Sequence, residues 1–312
     1  MQSNPKGRRH LALRGPLPSR PRWQALSLWA YYPGITMTQT PAETRSPHFN
    51  RNATAATYRD IHLPRVFAPW ARVLLEIVPP RPGEAVVDVA TGPGTVARQA
   101  AALVGTSGRV VGVDISPAML SIARQWPPEP QAADIQYVES SATKIPLDDE
   151  AFDVAYCQQG LQHMSDPATA LQEMCRVLKR GGRLGVAIWQ QSPFSLFRQV
   201  VADMGFASDG AQPSAFGRDP EELSEALGQA GFTGVQVHTR QLVSVLEGGI
   251  PQALEVAVAT SAANVMGTLS STQQDAIKAA IARELEPLAE DDGVHLTSIA
   301  NIASARRAEA TG

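Results

Sequence analysis

A chain of 312 residues with 27 basic and 30 acidic side chains and 44% hydrophobic residues is long enough for one large domain or two small ones, either with a substantial core. The net charge of −3 argues against a partner held mainly through phosphates, such as bulk nucleic acid. Two cysteines, Cys157 and Cys175, are too few for a disulfide scaffold. No uninterrupted apolar run reaches the roughly 20 residues that cross a bilayer, so a cytoplasmic location is the expectation.

Residues 1–42 differ from the rest. Lys6, Arg8, Arg9, Arg14, Arg20 and Arg22 are unopposed until Glu43, and Pro5, Pro16, Pro18 and Pro21 interrupt the amphipathic helix that an organelle-targeting leader needs. The expectation is a largely disordered basic leader followed by one domain over 43–312, with a cofactor-binding core at about 80–190. Residues 56–78 carry Val66, Phe67, Trp70, Ala71, Leu74 and Leu75 at helical spacing, which predicts a helix broken near Pro64. Tyr58 and His62 on it would either cover a pocket as a lid or sit on a surface helix.

The next segment carries the most information. Ala85–Val89 is a β-branched run ending in Asp88-Val89, followed by the small-residue turn Ala90-Thr91-Gly92-Pro93-Gly94 and a predicted helix from Thr95 to Leu103. A buried parallel strand needs such a run, and glycines allow both the tight turn and the close approach of a ligand. The free N–H groups of the helix would face an anionic ligand group. A second apolar run, Val110–Asp114, ends in another acid, where a nucleoside ribose is usually held. Gly92-Pro93-Gly94-Thr95-Val96-Ala97 also fits a dinucleotide fingerprint, so an NAD(P) oxidoreductase stays open on this motif. Asp88 before the turn tilts the reading, because it would repel a pyrophosphate and attract an ammonium.

Downstream, the pattern predicts a helix at Pro117–Gln125 and strands at Ile135–Glu139 and Asp153–Cys157, with Gln158–His163 as exit loop. A helix at Ala168–Leu178 follows, closed by Gly181-Gly182 with Lys179 and Arg180 at its negative end. Strand five is Leu184–Ile188. Then come a helix at Asp219–Ala230, strand six at Val235–Arg240, helices at Pro251–Met266 and Ser271–Leu288, and a short final strand near Ile299–Ala305. The alternation implies a Rossmann-like, seven-stranded, mostly parallel α/β sheet with helices on both faces and a helical insertion before the last strand.

Asp88, the glycine turn, Asp114, Ile115–Leu120, Phe152–Cys157 and Leu178–Val186 stand in an order that resembles the class I S-adenosylmethionine-dependent methyltransferases over Val86–Trp189. The resemblance is nearest to the ubiquinone/menaquinone C-methyltransferase-like group that acts on small molecules. It implies a final strand antiparallel between strands five and six, with the helices at about 245–292 near the acceptor or merely padding the sheet edge. It implies that Asp88 and the turn Ala90, Thr91, Gly92 and Gly94 hold the methionine part of S-adenosyl-L-methionine, and that Asp114 holds the ribose hydroxyls. Ile115 and Met119 would flank the adenine or simply pack.

Two positions depart from the family. Ser141, before Ala142, stands where relatives often have an acid or Asn at the adenine amine, which would lose a charge-assisted bond. Ala90 replaces a common Gly and is tolerable with negative φ. Gln158 lies where relatives contact cofactor or substrate. His163 is the candidate general base, or else an ordinary loop histidine. Trp189 would line the acceptor site or pack at the sheet edge. No triad, metal set or paired catalytic carboxylates stand out, which suits methyl transfer to a small-molecule acceptor: positioning alone can supply on the order of 7–11 kcal/mol. A non-catalytic cofactor-binding protein is the third reading.

Overall fold

Runs such as Val86-Val87-Asp88-Val89 and Val110-Val111-Gly112-Val113 can be apolar on successive residues only if both faces of the sheet are covered. The computed structural model describes residues 64–309 except 128, 207–213 and 260–262; the basic leader, Tyr58 and His62 lie outside the described residues. Strands β1 (Ala85–Val89), β2 (Arg109–Asp114), β3 (Ile135–Glu139), β4 (Phe152–Gln158) and β5 (Leu178–Gln191) are parallel. With β6 (Phe232–Leu246), the two-residue β7 (Ala289–Glu290) and β8 (Gly293–Arg307), the sheet runs β3-β2-β1-β4-β5-β8-β6, and β7 pairs with β8. Strand β8 is antiparallel to both its neighbours.

Period-two alternation sends Val86, Val110, Val154 and Tyr156 to one face, under helices α1 (Ala68–Ile77) and α2 (Thr95–Val104). It sends Val87, Val111, Ala155 and Cys157 to the other, which also holds side chains of α4 (Pro167–Val177) and α6 (Pro220–Gln229). Helix α3 (Pro117–Arg124) follows β2. The order reverses between β1 and β4, which leaves a crevice at their carboxyl ends where open α/β sheets bind ligands.

Three elements differ from the sequence reading. Lys179 and Arg180 do not close α4, which ends at Val177. Leu178 pairs with Phe152, and the register then jumps to Val154–Arg183, so Lys179–Gly182 form a bulge in β5. Lys179 reaches Asp153 at 2.7 Å and Arg180 reaches Glu150 at 3.0 Å. Buried Leu178 draws the chain straight into the sheet, so Gly181-Gly182 shapes a bulge instead of a helix stop.

Second, β6 and β8 are 15 residues each, far longer than expected. Strand β5 last pairs at Gln191–Ile299, whereas β6 and β8 continue to Leu246–Val294. At about 3.3 Å per residue this makes an arm of roughly 16 Å beyond the carboxyl end of β5. The sequence hid it, because Ser244 faces inward (5% exposed) and Val243 outward (48%).

Third, helix α5 (Ser195–Asp203) was not anticipated; it buries Phe197, Val200 and Val201. The single helix expected at Pro251–Met266 is two, α7 (Gly249–Ala259) and α8 (Ala263–Met266). Helix α9 (Ser271–Leu285) starts on a capping box of Ser270 and Gln273, and the residues expected to finish it, Glu286–Leu288 around Pro287, form a separate 3-10 turn. Side chains of α5, α7 and α9 pack with Leu246, Val294 and Leu296 of the arm into a third core. The inserted helices therefore stand at the ligand-binding end of the sheet.

Candidate active site

The turn after β1 is built around two carboxylates. Helix α2 has Gly94 as its N-cap, with φ +80 and no side chain to offer the free N–H groups. A Cβ there would collide with the Tyr137 hydroxyl. Asp88 supplies the missing acceptor from the strand below: its Oδ2 accepts from the Ala97 N–H at 3.1 Å and from Thr91 Oγ1 at 2.6 Å. Asp114 accepts from the backbone N–H groups of Gly92 and Ser116, both at 2.8 Å. The turn is thereby stapled to both strand ends before any ligand arrives.

Asp88 is buried beneath this turn, 1% exposed. Burial pushes its carboxyl up to about 7, against the lowering effect of the Thr91 and Ala97 bonds. Its Oδ1 is buried and has no hydrogen-bond partner, so that single oxygen is what Asp88 has left for a cofactor group. Burial also raises the Asp114 carboxyl, opposed by its backbone hydrogen bonds.

Ala90 corrects an expectation. Its φ is +57, not negative, a conformation that costs an L-residue about 1 kcal/mol or more. The contact opposite explains how it is held: a Cβ on Gly160 would lie 2.6 Å from the Ala90 Cβ, so the β4 exit loop rests directly on the β1 turn.

The other expected residues separate. Ile115 is 43% exposed beside Asp114, whereas Met119 is 4% exposed in the core. Ser141 Oγ is shared with Thr143 Oγ1 at 2.8 Å and accepts from the Thr143 N–H at 3.2 Å, so its own turn uses much of its bonding capacity. Ala142 is half-buried against the second-face core. Gln158 donates from Nε2 to the Phe67 carbonyl at 3.0 Å, tying the start of α1 across the exit of β4, while its Oε1 is buried and unpartnered. His163 is exposed at the end of the 3-10 turn Leu161–His163. Trp189 packs edge-on against Trp70, ring centroids 5.4 Å apart, and the Trp70 indole donates to Ser298 Oγ at 3.0 Å.

Sequence reasoning missed Gln159 and Gln162. They are 6% and 3% exposed, and neither end of either amide has a hydrogen-bond partner. Three glutamines in five positions after a buried strand was the available signal. It also missed Glu290, Asp292 and His295, whose ligand-type atoms lie within 4.8 Å of one another on the β7–β8 hairpin. There His295 Nε2 meets Asp292 Oδ1 at 2.7 Å, which accounts for the grouping.

Buried polar side-chain atoms are nearly always hydrogen-bonded. Among the described residues, those that are not belong to Asp88, Thr95, Gln158, Gln159 and Gln162 alone. All five lie at the carboxyl ends of β1 and β4 or at the start of α2, on the two sides of the crevice where the strand order reverses. Missing bonds of this kind are met by a ligand or by ordered water. The set suits S-adenosylmethionine: a small-residue turn for the methionine part, a carboxylate at the β2 tip for the ribose hydroxyls and a free apolar Ile115 beside it. It suits a dinucleotide less, because a buried acid lies under the turn and an antiparallel strand separates β5 from β6, unlike the six-strand dinucleotide sheet.

Comparison with known proteins agrees. A family model described as a methyltransferase domain matches residues 87–186. The ubiquinone/menaquinone biosynthesis C-methyltransferase UbiE of Ectopseudomonas mendocina is 36% identical over 139 residues, 44% of this chain and 54% of that protein. UbiE of Pseudomonas fluorescens is 31% identical over 186 residues, 54% of this chain and 73% of that protein. The match to the first thus spans about half of its length. Among solved structures, the YcgJ protein of Bacillus subtilis aligns with a TM-score of 0.51 at 16% identity, over 77% of this chain and 98% of that one. Phosphoethanolamine N-methyltransferase 2 of Haemonchus contortus, solved with phosphomonomethylethanolamine and S-adenosylhomocysteine, aligns at 0.51 and 18% identity over 83% of this chain and 58% of that one. At such identities these two structures speak to the fold.

Proposed function

Because this chain belongs to the class I S-adenosylmethionine-dependent methyltransferases, we propose that it carries a methyl group from S-adenosylmethionine to a small-molecule acceptor of the quinone-pathway kind that its curated relatives are named for. The observation that carries the reading is the gathering of the unpartnered buried polar atoms at one crevice. When bound, S-adenosylmethionine supplies a methyl group already activated on a sulfonium. The acceptor would offer the electron pair that takes this methyl, and the chain's part would be to hold the two in line, keep water out and give the proton displaced from the acceptor a way to solvent.

The chain's own residues then have positioning work to do. Asp114 takes the ribose hydroxyls on the lone pairs that Gly92 and Ser116 leave free. The turn Ala90–Gly94 takes the methionine part, with Asp88 Oδ1 as the nearest buried anion for its ammonium. Ile115 covers the adenine, Ser141 Oγ accepts from its amine and the Ala142 N–H donates to a ring nitrogen, with Met119 packing behind. Gln158 holds the start of α1 over the reaction space. His163 is the proposed proton acceptor, and its exposed ring passes the proton to water. The arm and its helices close the acceptor side.

The test is calorimetric titration of the full-length protein with S-adenosylhomocysteine and with NAD, alongside the Asp114→Ala variant. Micromolar one-to-one binding of S-adenosylhomocysteine, weakened at least tenfold in the variant, is expected. Binding of NAD without S-adenosylhomocysteine would overturn the reading.

A further inference from the structure

Among the described residues, Gln159 and Gln162 are the least explained buried groups. An unpartnered buried amide is costly, because it has given up its hydrogen bonds to water and gained none in exchange, and here both ends of two amides are unpartnered. Looseness of the loop does not account for it. The Gln159 N–H donates to the Ala187 carbonyl at 2.7 Å, and the Gln162 carbonyl accepts from the Ser214 N–H at 2.9 Å. Between them Gly160 is wedged against Ala90 and Cys157, and Leu161 is fully buried. Gln159 is held at φ +49, off the usual range for a side chain of its kind. A rigid, partly strained loop that buries two idle amides is a common design of binding sites, where strain and unmet polarity are maintained for a ligand.

Resting on the methyl-transfer reading above, we infer that Gln159 and Gln162 are the specificity-determining residues for the acceptor, and that they recognise uncharged ring oxygens. Each amide offers one acceptor and two donor hydrogens, which matches a hydroxyl that both gives and takes a hydrogen bond, or a hydroxyl beside a carbonyl. A charged acceptor would be poorly served. The groups left unpartnered in the crevice besides Asp88 are an alcohol and three amides, all neutral, and a buried ion needs a counter-charge. Asp88 is already spoken for, its Oδ2 by Thr91 and Ala97 and its Oδ1, on the methyl-transfer reading, by the ammonium of the cofactor. Sites built around a substrate hydroxyl discriminate strongly against analogues lacking it, because the protein's own groups are then stranded.

The experiment uses full-length protein and the variants Gln159→Leu and Gln162→Leu, of similar size but apolar. Three quantities are read: affinity for S-adenosylhomocysteine, affinity of that complex for 1,4-dihydroxynaphthalene with naphthalene as control, and thermal midpoint. The parent complex is expected to bind the diol at least tenfold more tightly than naphthalene. Each variant should lose at least tenfold in diol affinity, keep S-adenosylhomocysteine affinity within threefold, and melt at the same temperature as the parent or higher, because a stranded amide has been removed. A lower melting temperature in both variants would mark the amides as structural and overturn the inference. So would unchanged diol affinity, or a parent complex that does not distinguish diol from naphthalene. Failure of the parent to bind S-adenosylhomocysteine at all would instead end the methyl-transfer reading, and with it this inference.

Discussion

Replacing Asp88 with asparagine should make the fold more stable and the cofactor site worse, with a stability gain that grows with pH. The unfolded chain ionises Asp88 near its ordinary value of 3.8, while the folded protein holds the proton to about 7. A carboxyl raised in this way contributes its full stability below about pH 4 and loses it as pH rises through about 7. The total is about 4 kcal/mol at 1.36 kcal/mol per pH unit. Asparagine keeps a carbonyl oxygen for the Thr91 hydroxyl and the Ala97 N–H but carries no charge. The difference between variant and parent is then small below about pH 4, on the order of 1.5 kcal/mol at pH 5 and about 4 kcal/mol at pH 8. Other shifted groups, Asp114, Asp153 and Glu173 among them, are common to both proteins, so the difference isolates Asp88. Urea unfolding at pH 5, 6.5 and 8 measures it: with an m-value of roughly 3 kcal/mol/M, the midpoint should rise by about 0.5 M at pH 5 and by about 1.4 M at pH 8. The same variant should bind S-adenosylhomocysteine at least tenfold more weakly, since an amide N–H₂ replaces or dilutes the buried anion. A variant less stable than the parent by the same amount at all three pH values would refute the reasoning. It would show the carboxylate to be a net-stabilising helix cap instead of a buried charge under strain.

Two further outcomes follow from packing. Gly160→Ala places a Cβ 2.6 Å from the Ala90 Cβ and 2.9 Å from Cys157 Sγ, neither of which can swing away; a loss of about 1–3 kcal/mol together with weaker S-adenosylhomocysteine binding is expected, read by thermal melting and calorimetry. Trp70→Phe removes the 3.0 Å bond to buried Ser298 Oγ and should cost about 1–3 kcal/mol in urea unfolding, while S-adenosylhomocysteine affinity stays within threefold because the bond lies under the arm.

The segment from Ala85 to Asp114 was legible because its rules are local. A β-branched run, a turn that only small residues can make and a helix start within a dozen positions leave few conformations open, and the structure has β1, α2 and β2 within a residue of the sequence reading. The antiparallel placement of the last strand came from family resemblance, since nothing in Gly293–Arg307 itself says which neighbours it pairs with. The rest depended on partners far along the chain. The arm exists because β6 and β8 find each other beyond the end of β5, and its buried Ser244 and exposed Val243 defeat any reading by alternation. Lys179–Gly182 read as a helix stop until Leu178 was claimed by Phe152. Ala90 takes a positive φ between Asp88 and a loop some seventy residues later. The direction of the Asp88 carboxylate and the idle amides of Gln159 and Gln162 belong to the same class. Sequence specifies which polar groups are present; only the packed structure decides which of them are cut off from water, and it is that loss of solvent which turns a residue into a site.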